Sequence, residues 1–208
     1  MGNVTLLAVS KTRGPEAVRL AFLAGQRRFG ENQVREAVAK MDALADLDGS
    51  LEWHLIGPLQ SNKTRLAAER FQWVQSVDRV AIAERLSTQR PERLPPLSVC
   101  LQVNTSGEAT KSGFAPGDVL GAARAVGALP RLRLRGLMAI PEPSEDVAVQ
   151  RAAHGALRDL FEAVVAAGIP LDTLSAGMSD DLEAAVAEGS TLVRIGSAVF
   201  GPRDAPDA

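Results

Sequence analysis

Eight short apolar or β-branched runs punctuate the chain, and each is followed by a longer stretch whose apolar residues recur at helical spacing. The strand-like runs are VTLLAVS (4–10), RRFG (27–30), LEWHLIG (51–57), QWVQS (72–76), LSVCLQVN (97–104), LRLRGLM (132–138), LDTLS (171–175) and TLVRIG (191–196). Strands separated by helices run parallel, and eight such units predict an α/β protein whose sheet closes into a single (β/α)8, TIM-type barrel. An open doubly wound sheet is the rival. It wants a glycine-rich phosphate turn after the first strand, and SKTRGPEA supplies no G-x-G-x-x-G.

Between the strands, Val34, Val38, Met41 and Leu44 keep a period near 3.6, as do Leu157, Phe161 and Val164. Asn32, Asp78, Ser144 and Ser179 are placed to cap helices, and Gly168 and Gly189 to end them. No low-complexity linker divides the chain, so residues 1–201 are expected to form one barrel domain, with 202–208 as a C-terminal tail.

With 46% hydrophobic residues among 208, the chain can bury a large core, and a net charge of −2 argues against a nucleic-acid partner. The arginines of RLRLR (131–135) are expected to be paired or solvated at a strand end. Two histidines and one cysteine are too few for a convincing metal cluster, and Cys100, inside LSVCLQV, reads as a buried structural thiol. Neither a bilayer-length apolar run nor a secretion leader is visible, which predicts no membrane partner and a cytoplasmic location.

In such a barrel the C-terminal strand ends converge on one face, where sites are assembled. Those ends carry Lys11, Asn32, His54, Ser76, Asn104, Met138, Ser175 and Gly196-Ser197. Lys11 stands out because LLAVSK ends an apolar strand on an amine. At the mouth of a barrel that amine is partly desolvated and nucleophilic, fit to condense with an aldehyde. Two chemistries follow: a Schiff base with a carbonyl substrate, as in an aldolase, or one with pyridoxal phosphate. The loops after the seventh and eighth strands, through Gly177 and Ser179 and through Gly196 and Ser197, suit an anion. Arg194, two residues before Gly196, shares its face and is placed to point inward, where a pyridine nitrogen could accept from it.

The ordered motifs LLAVSKTR, RFGENQVREA, WHLIGPLQSNK, VQSVDR, LQVNTSGEATKSGF, LRGLMAIP, LSAGMSDDLEAAV and GSTLVRIGSAVFG, from Leu6 to Gly201, resemble the pyridoxal phosphate homeostasis protein family, itself similar to the barrel domain of alanine racemase. The resemblance implies a fold-type-III barrel that binds pyridoxal 5'-phosphate as an internal aldimine on Lys11. It implies Arg194 at the pyridine nitrogen, Ser175, Gly196 and Ser197 at the phosphate, and Asn32 beside the ring. It also implies buffering or carrying of the cofactor inside the cell, with PLP-dependent apo-enzymes as recipients, and no robust substrate turnover. Two departures stand out: the first strand begins almost at Met1, where the family often has a preceding helix, and Ala176 replaces a frequent methionine, an expected change in the pocket wall.

The competing reading is an amino-acid racemase, which needs a second acid/base opposite the lysine. The chain has no tyrosine, the residue alanine racemase supplies from a separate domain. A substitute would have to come from His54, Cys100 or a partner subunit, and His54 and His154 are both expected to be structural. An aldolase-type enzyme using Lys11 is the third reading. Lys63 and Lys111, in loops on the same face, are candidates for a second, looser anion site.

Overall fold

Along β1 (Thr5–Val9) successive side chains leave on opposite faces, and what each one touches shows the sorting. Leu7 and Val9 pack with Ile56 and Leu192 in a small cluster, whereas Ala8 joins a far larger one with Val18 and Phe29. The small cluster lies inside a cylinder of strands; the large one fills the space between that cylinder and a jacket of helices. The structure is a computed structural model that describes residues 4–106 and 111–201. The expected tail, 202–208, and residues 107–110 of LQVNTSGEATKSGF lie outside the described residues.

Seven more strands follow: β2 (Arg28–Glu31), β3 (Glu52–Leu55), β4 (Trp73–Val77), β5 (Leu97–Gln102), β6 (Leu132–Met138), β7 (Thr173–Ser175) and β8 (Leu192–Ile195). Each pairs in parallel with the next, and β8 pairs back with β1 from Thr5↔Leu192 to Ala8↔Ile195, closing the barrel. Every expected run overlaps its strand, and the open-sheet alternative is excluded. The jacket consists of α1 (Pro15–Leu23), α2 (Val34–Ala43), α3 (Thr64–Arg70), α4 (Val80–Gln89), α5 (Val119–Gly127), α6 (Val147–Ala166), α7 (Leu182–Ala187) and the short α8 (Ser197–Phe200).

Helix ends follow the sequence signals less closely. α6 is capped by Asp146, whose carboxylate accepts from Ala148 N, with Ser144 two residues upstream accepting from Asp146 N. Asn32, Asp78 and Ser179 do not cap either: α2, α4 and α7 start later, after Gln33, Arg79 and Asp181. Gly168 and Gly189 do follow the ends of α6 and α7, both with positive φ.

Of the arginines of 131–135, Arg133 is exposed, and Arg131 and Arg135 are tied up at the lower, N-terminal rim. Arg131 donates to the carbonyls of Pro91 and Leu94, and Arg135 pairs with Asp172 at 2.8 Å while its guanidinium lies over Trp73. Among the described residues no helix is long and apolar enough to cross a membrane, and no three histidine, cysteine, aspartate or glutamate side chains gather as metal ligands.

Inside the cylinder a second small cluster joins Trp73, Cys100 and Met138. Burial pushes the Cys100 thiol up to about 12, with the carboxylate of Asp172 acting the same way and Arg135 and Arg194 opposing it. Only the thiolate is reactive, so Cys100 is expected to resist thiol reagents in the native protein and to titrate stoichiometrically in denaturant. A disulfide-exchange colour assay checks this; prompt native reaction would show that the interior opens.

Candidate functional site

The upper end of β1 is where the backbone departs from the ordinary. Thr12 has φ 65°, a left-handed conformation that a β-branched residue rarely adopts. It is held there from outside: Thr12 N donates to Glu36 Oε1 at 2.8 Å, and one residue before Lys11 the Ser10 hydroxyl donates to Glu31 Oε1 at 2.6 Å. Lys40 of α2 joins both tethers, with Nζ 2.6 Å from Glu31 Oε1, 2.8 Å from Ser10 O and 3.6 Å from Glu36 Oε1. Residues on both sides of Lys11 are thus fixed to α2, while Lys11 itself is half-buried and lines a cavity at the barrel's upper mouth.

That cavity has a volume of about 400 Å³. Its wall takes Val9, Lys11 and Arg13 from the first unit, Asn32 after β2, Ile56 to Pro58 after β3, Ile140 after β6, Met178 to Asp180 after β7, and Arg194, Gly196 and Ser197 from the eighth. Of the six residues expected at the site, five therefore meet in one concavity: Lys11, Asn32, Arg194, Gly196 and Ser197. Asn32 is free to face it because it does not cap α2. Gly57 permits the fit, since a Cβ there would sit 2.3 Å from Asn32 O.

Ser175 is the exception. It is fully buried below the cavity, where its hydroxyl is 2.6 Å from Gln75 Oε1 and 2.7 Å from Arg194 Nη1. The hydroxyl is engaged on both sides, so Ser175 supports Arg194 and does not line the cavity. Other strand-end residues also fall elsewhere. Ser76 donates to Gly57 O at 2.6 Å, Asn104 donates to Lys111 O, and Met138 lies in the interior cluster. His54 is directed toward the opposite end: its Nε2 is 2.9 Å from Glu52, two residues earlier on the same inner face. Ala176 packs in the core between sheet and helices, so it shapes that core and not the pocket wall. Lys63 and Lys111 do not line the cavity, and Lys111 Nζ is 2.9 Å from Glu142.

Arg194 is buried and makes three hydrogen bonds, to Ser175 O and Oγ at 2.7 Å each and to Ala139 O at 2.8 Å. Burial pushes its pKa down to about 10, with Asp181 and Cys100 opposing that shift, so the guanidinium stays charged at neutral pH. It presents a donor-only cation at the cavity floor.

The cradle opposite is shaped by the loop after β7. Gly177 has φ 95°, and a Cβ there would meet that of Ala185 at 2.6 Å, so only glycine lets this turn pack against α7. Asp181 then accepts from Met178 N at 2.6 Å and from His154 Nε2 at 2.9 Å. Burial raises the Asp181 pKa, but the hydrogen bonds from His154 and Met178 outweigh it and leave the carboxyl below its ordinary value. His154 is thus engaged by a hydrogen bond to Asp181, just before α7, and lies away from the cavity. Sequence reasoning missed Arg13, which donates to Gly201 O at 2.6 Å and adds a cation to the wall. The run KTR after the first strand was the available signal.

Chemically, the concavity offers one primary amine, one buried cation, a second cation at the rim, and a glycine-containing backbone turn that leads into α8. It suits a small anionic carbonyl compound. Comparison with known proteins gives the same direction. Residues 1–204 match the family model described as alanine racemase, N-terminal domain. The chain is 63% identical over 202 residues to the pyridoxal phosphate homeostasis protein of Pseudomonas aeruginosa, covering 97% of this chain and 86% of that protein. Two solved structures of PipY from Synechococcus elongatus are similar throughout. The one without PLP has a TM-score of 0.89 at 42% identity, covering 95% of this chain and 93% of the other. The one with PLP bound has a TM-score of 0.87 at 41% identity, covering 95% and 92%.

Proposed function

Because this chain belongs to the pyridoxal phosphate homeostasis proteins, within the family of the alanine racemase N-terminal domain, we propose that it binds pyridoxal 5'-phosphate at the upper mouth and limits its free concentration in the cytoplasm. The observation that carries the reading is the convergence of Lys11, Arg194 and the Gly196-Ser197 turn on one cavity. The cofactor has three groups to satisfy: an aldehyde, a pyridine nitrogen and a phosphate. Lys11 would supply the amine that condenses with the aldehyde carbon, the carbonyl oxygen leaving as water, Arg194 would donate to the ring nitrogen, and the backbone and hydroxyl at Gly196-Ser197 would take the phosphate, with Arg13 adding positive charge. Asn32 flanks the ring.

A donor-only cation at the pyridine nitrogen opposes protonation of the ring and weakens it as an electron sink, which fits retention better than turnover. Neither candidate within the chain for the second racemisation base reaches the cavity. His54 and Cys100 lie below the cavity, the first hydrogen-bonded on both nitrogens and the second held as a thiol. Apo-enzymes that use the cofactor are the recipients in this reading.

The deciding experiment is borohydride reduction of protein loaded with pyridoxal phosphate, followed by peptide mass spectrometry. The label is expected on Lys11, and label on Lys63, Lys111 or another lysine would sink the assignment. The same loaded protein, incubated with L-alanine in deuterated water, is expected to show no saturable exchange at the α-carbon. Rapid exchange abolished by Lys11→Ala would establish the racemase reading instead.

A further inference from the structure

The axis of the barrel holds a polar system that cofactor binding by the upper mouth does not by itself explain. Starting at the cavity floor, Arg194 Nη1 is 2.7 Å from Ser175 Oγ, Ser175 Oγ is 2.6 Å from Gln75 Oε1, Gln75 Nε2 is 2.8 Å from His54 Nδ1, and His54 Nε2 is 2.9 Å from Glu52 Oε1. Glu52 in turn meets Arg28 Nε at 3.0 Å at the lower rim. Arg194, Ser175, Gln75 and His54 are all buried, and the chain crosses the barrel from β8 through β7 and β4 to β3.

The two ends dictate the direction of every hydrogen between them. A guanidinium only donates, so Ser175 Oγ accepts from Arg194 and must place its own proton on Gln75 Oε1. That leaves the Gln75 amide nitrogen facing His54, whose Nδ1 must then carry a lone pair. From the other end, a carboxylate only accepts, so His54 must carry its proton on Nε2, and a neutral ring with Nε2–H again leaves Nδ1 as the acceptor. Both ends independently require the same amide orientation and the same tautomer. Reversing any one link would set two donors face to face or orphan the serine proton, which is costly in a buried site. Burial holds His54 in its neutral form against the pull of Glu52, and Arg28 and Arg135 nearby act in the same sense as burial.

We propose that Ser175, Gln75, His54 and Glu52 are positioning residues for Arg194, joined in one unidirectional hydrogen-bond chain that registers at the lower rim what binds at the upper mouth. This rests on the reading of the upper mouth as the cofactor site for its ligand arm only, because the chain itself is a property of the protein alone. Met138, Trp73 and Cys100 pack beside it and supply the apolar surroundings in which such links strengthen one another.

The test begins with the unloaded protein labelled with ¹⁵N at histidine, where long-range proton–nitrogen correlation reads the tautomer and His154 serves as an internal reference. His54 is expected as the neutral Nε2–H tautomer at neutral pH; an Nδ1–H or doubly protonated ring would overturn the chain. Arg194→Gln is expected to move the His54 Nδ1 resonance while leaving His154 in place, although the two side chains do not touch. A His54 ring indifferent to Arg194→Gln would refute the coupling. With pyridoxal phosphate as the probe, Gln75→Met is expected to weaken retention about tenfold in the wild-type background and to have no effect in the Arg194→Gln background. Equal losses in both backgrounds would mean that Gln75 does not act through Arg194. Should the wild-type protein retain no pyridoxal phosphate, the cofactor reading fails, and the tautomer and the Arg194→Gln shift still decide the chain.

Discussion

If Lys11 holds pyridoxal phosphate covalently as proposed, Lys11→Ala protein mixed with it is expected to remain without a visible absorption band and to lose retention by on the order of a hundredfold or more, since polar contacts alone are left. The fold should not notice. Lys11 is half-buried at the rim of the cavity and contributes to no apolar cluster, so its truncation is expected to change unfolding stability by only about 0.5 kcal/mol. That separation between large binding loss and unchanged stability distinguishes a functional amine from a structural one. Lys11→Arg sharpens the result: it keeps the cation, hence the attraction for phosphate, but has no amine able to join an aldehyde. If Lys11→Arg retained both band and affinity, the amine would have no covalent role. If Lys11→Ala did so, the site would lie elsewhere.

The eight strands were legible because a parallel barrel buries both faces of each strand, so a run such as TLLAV is apolar almost throughout, and LSVCLQ keeps Leu97, Val99 and Leu101 apolar toward the helices. The strand ends followed, and with them the meeting of five of the six expected residues on one cavity. What escaped the sequence has specific physical causes. The caps failed because Asn, Asp and Ser are favoured at turns in general, and nothing in the chain distinguishes a cap from a residue such as Asn32 that a turn aims at a cavity. His54 was assigned to the upper mouth from its position near the end of a run. Yet β3 extends only to Leu55, and Glu52, two residues back on the same face, draws the ring downward. Ser175 sits on the correct strand end, but a short β7 buries it one layer below the cavity, where Arg194 claims its hydroxyl. Thr12 carried no signal at all. Its left-handed backbone is imposed by Glu36 on another element, and no propensity scale foretells a β-branched residue there.

The same tether gives the largest expected effect on stability. Glu31 is fully buried with a single ammonium partner, Lys40, itself almost entirely buried, and its Oε2 has no hydrogen-bond partner among the described residues. Lys40→Met fills the ammonium's stem with apolar volume but strands the carboxylate, and breaking a buried pair in this way is expected to cost about 3–5 kcal/mol at neutral pH. The pH dependence identifies the cause. Burial already raises the Glu31 pKa, although hydrogen bonds from Lys40 and Ser10 pull it back. A carboxyl whose folded-state pKa is raised stabilises the fold fully below its unfolded value, near 4.5, and loses that contribution as pH rises through the folded value. Removing Lys40 removes the first of the two hydrogen bonds that lower it, so the folded value rises further. The gap between wild type and Lys40→Met should therefore be narrow in acid, where Glu31 is protonated in both, and should widen toward neutrality. Urea unfolding across that range measures it, and a gap independent of pH would mean that lost packing, not the stranded charge, accounts for the loss. Because Lys40 also holds Ser10 O and faces Glu36, the substitution weakens the tethers on both neighbours of Lys11 at once. Retention of pyridoxal phosphate should fall in Lys40→Met although Lys40 does not line the cavity, which ties the strained turn at Thr12 to the placement of the amine.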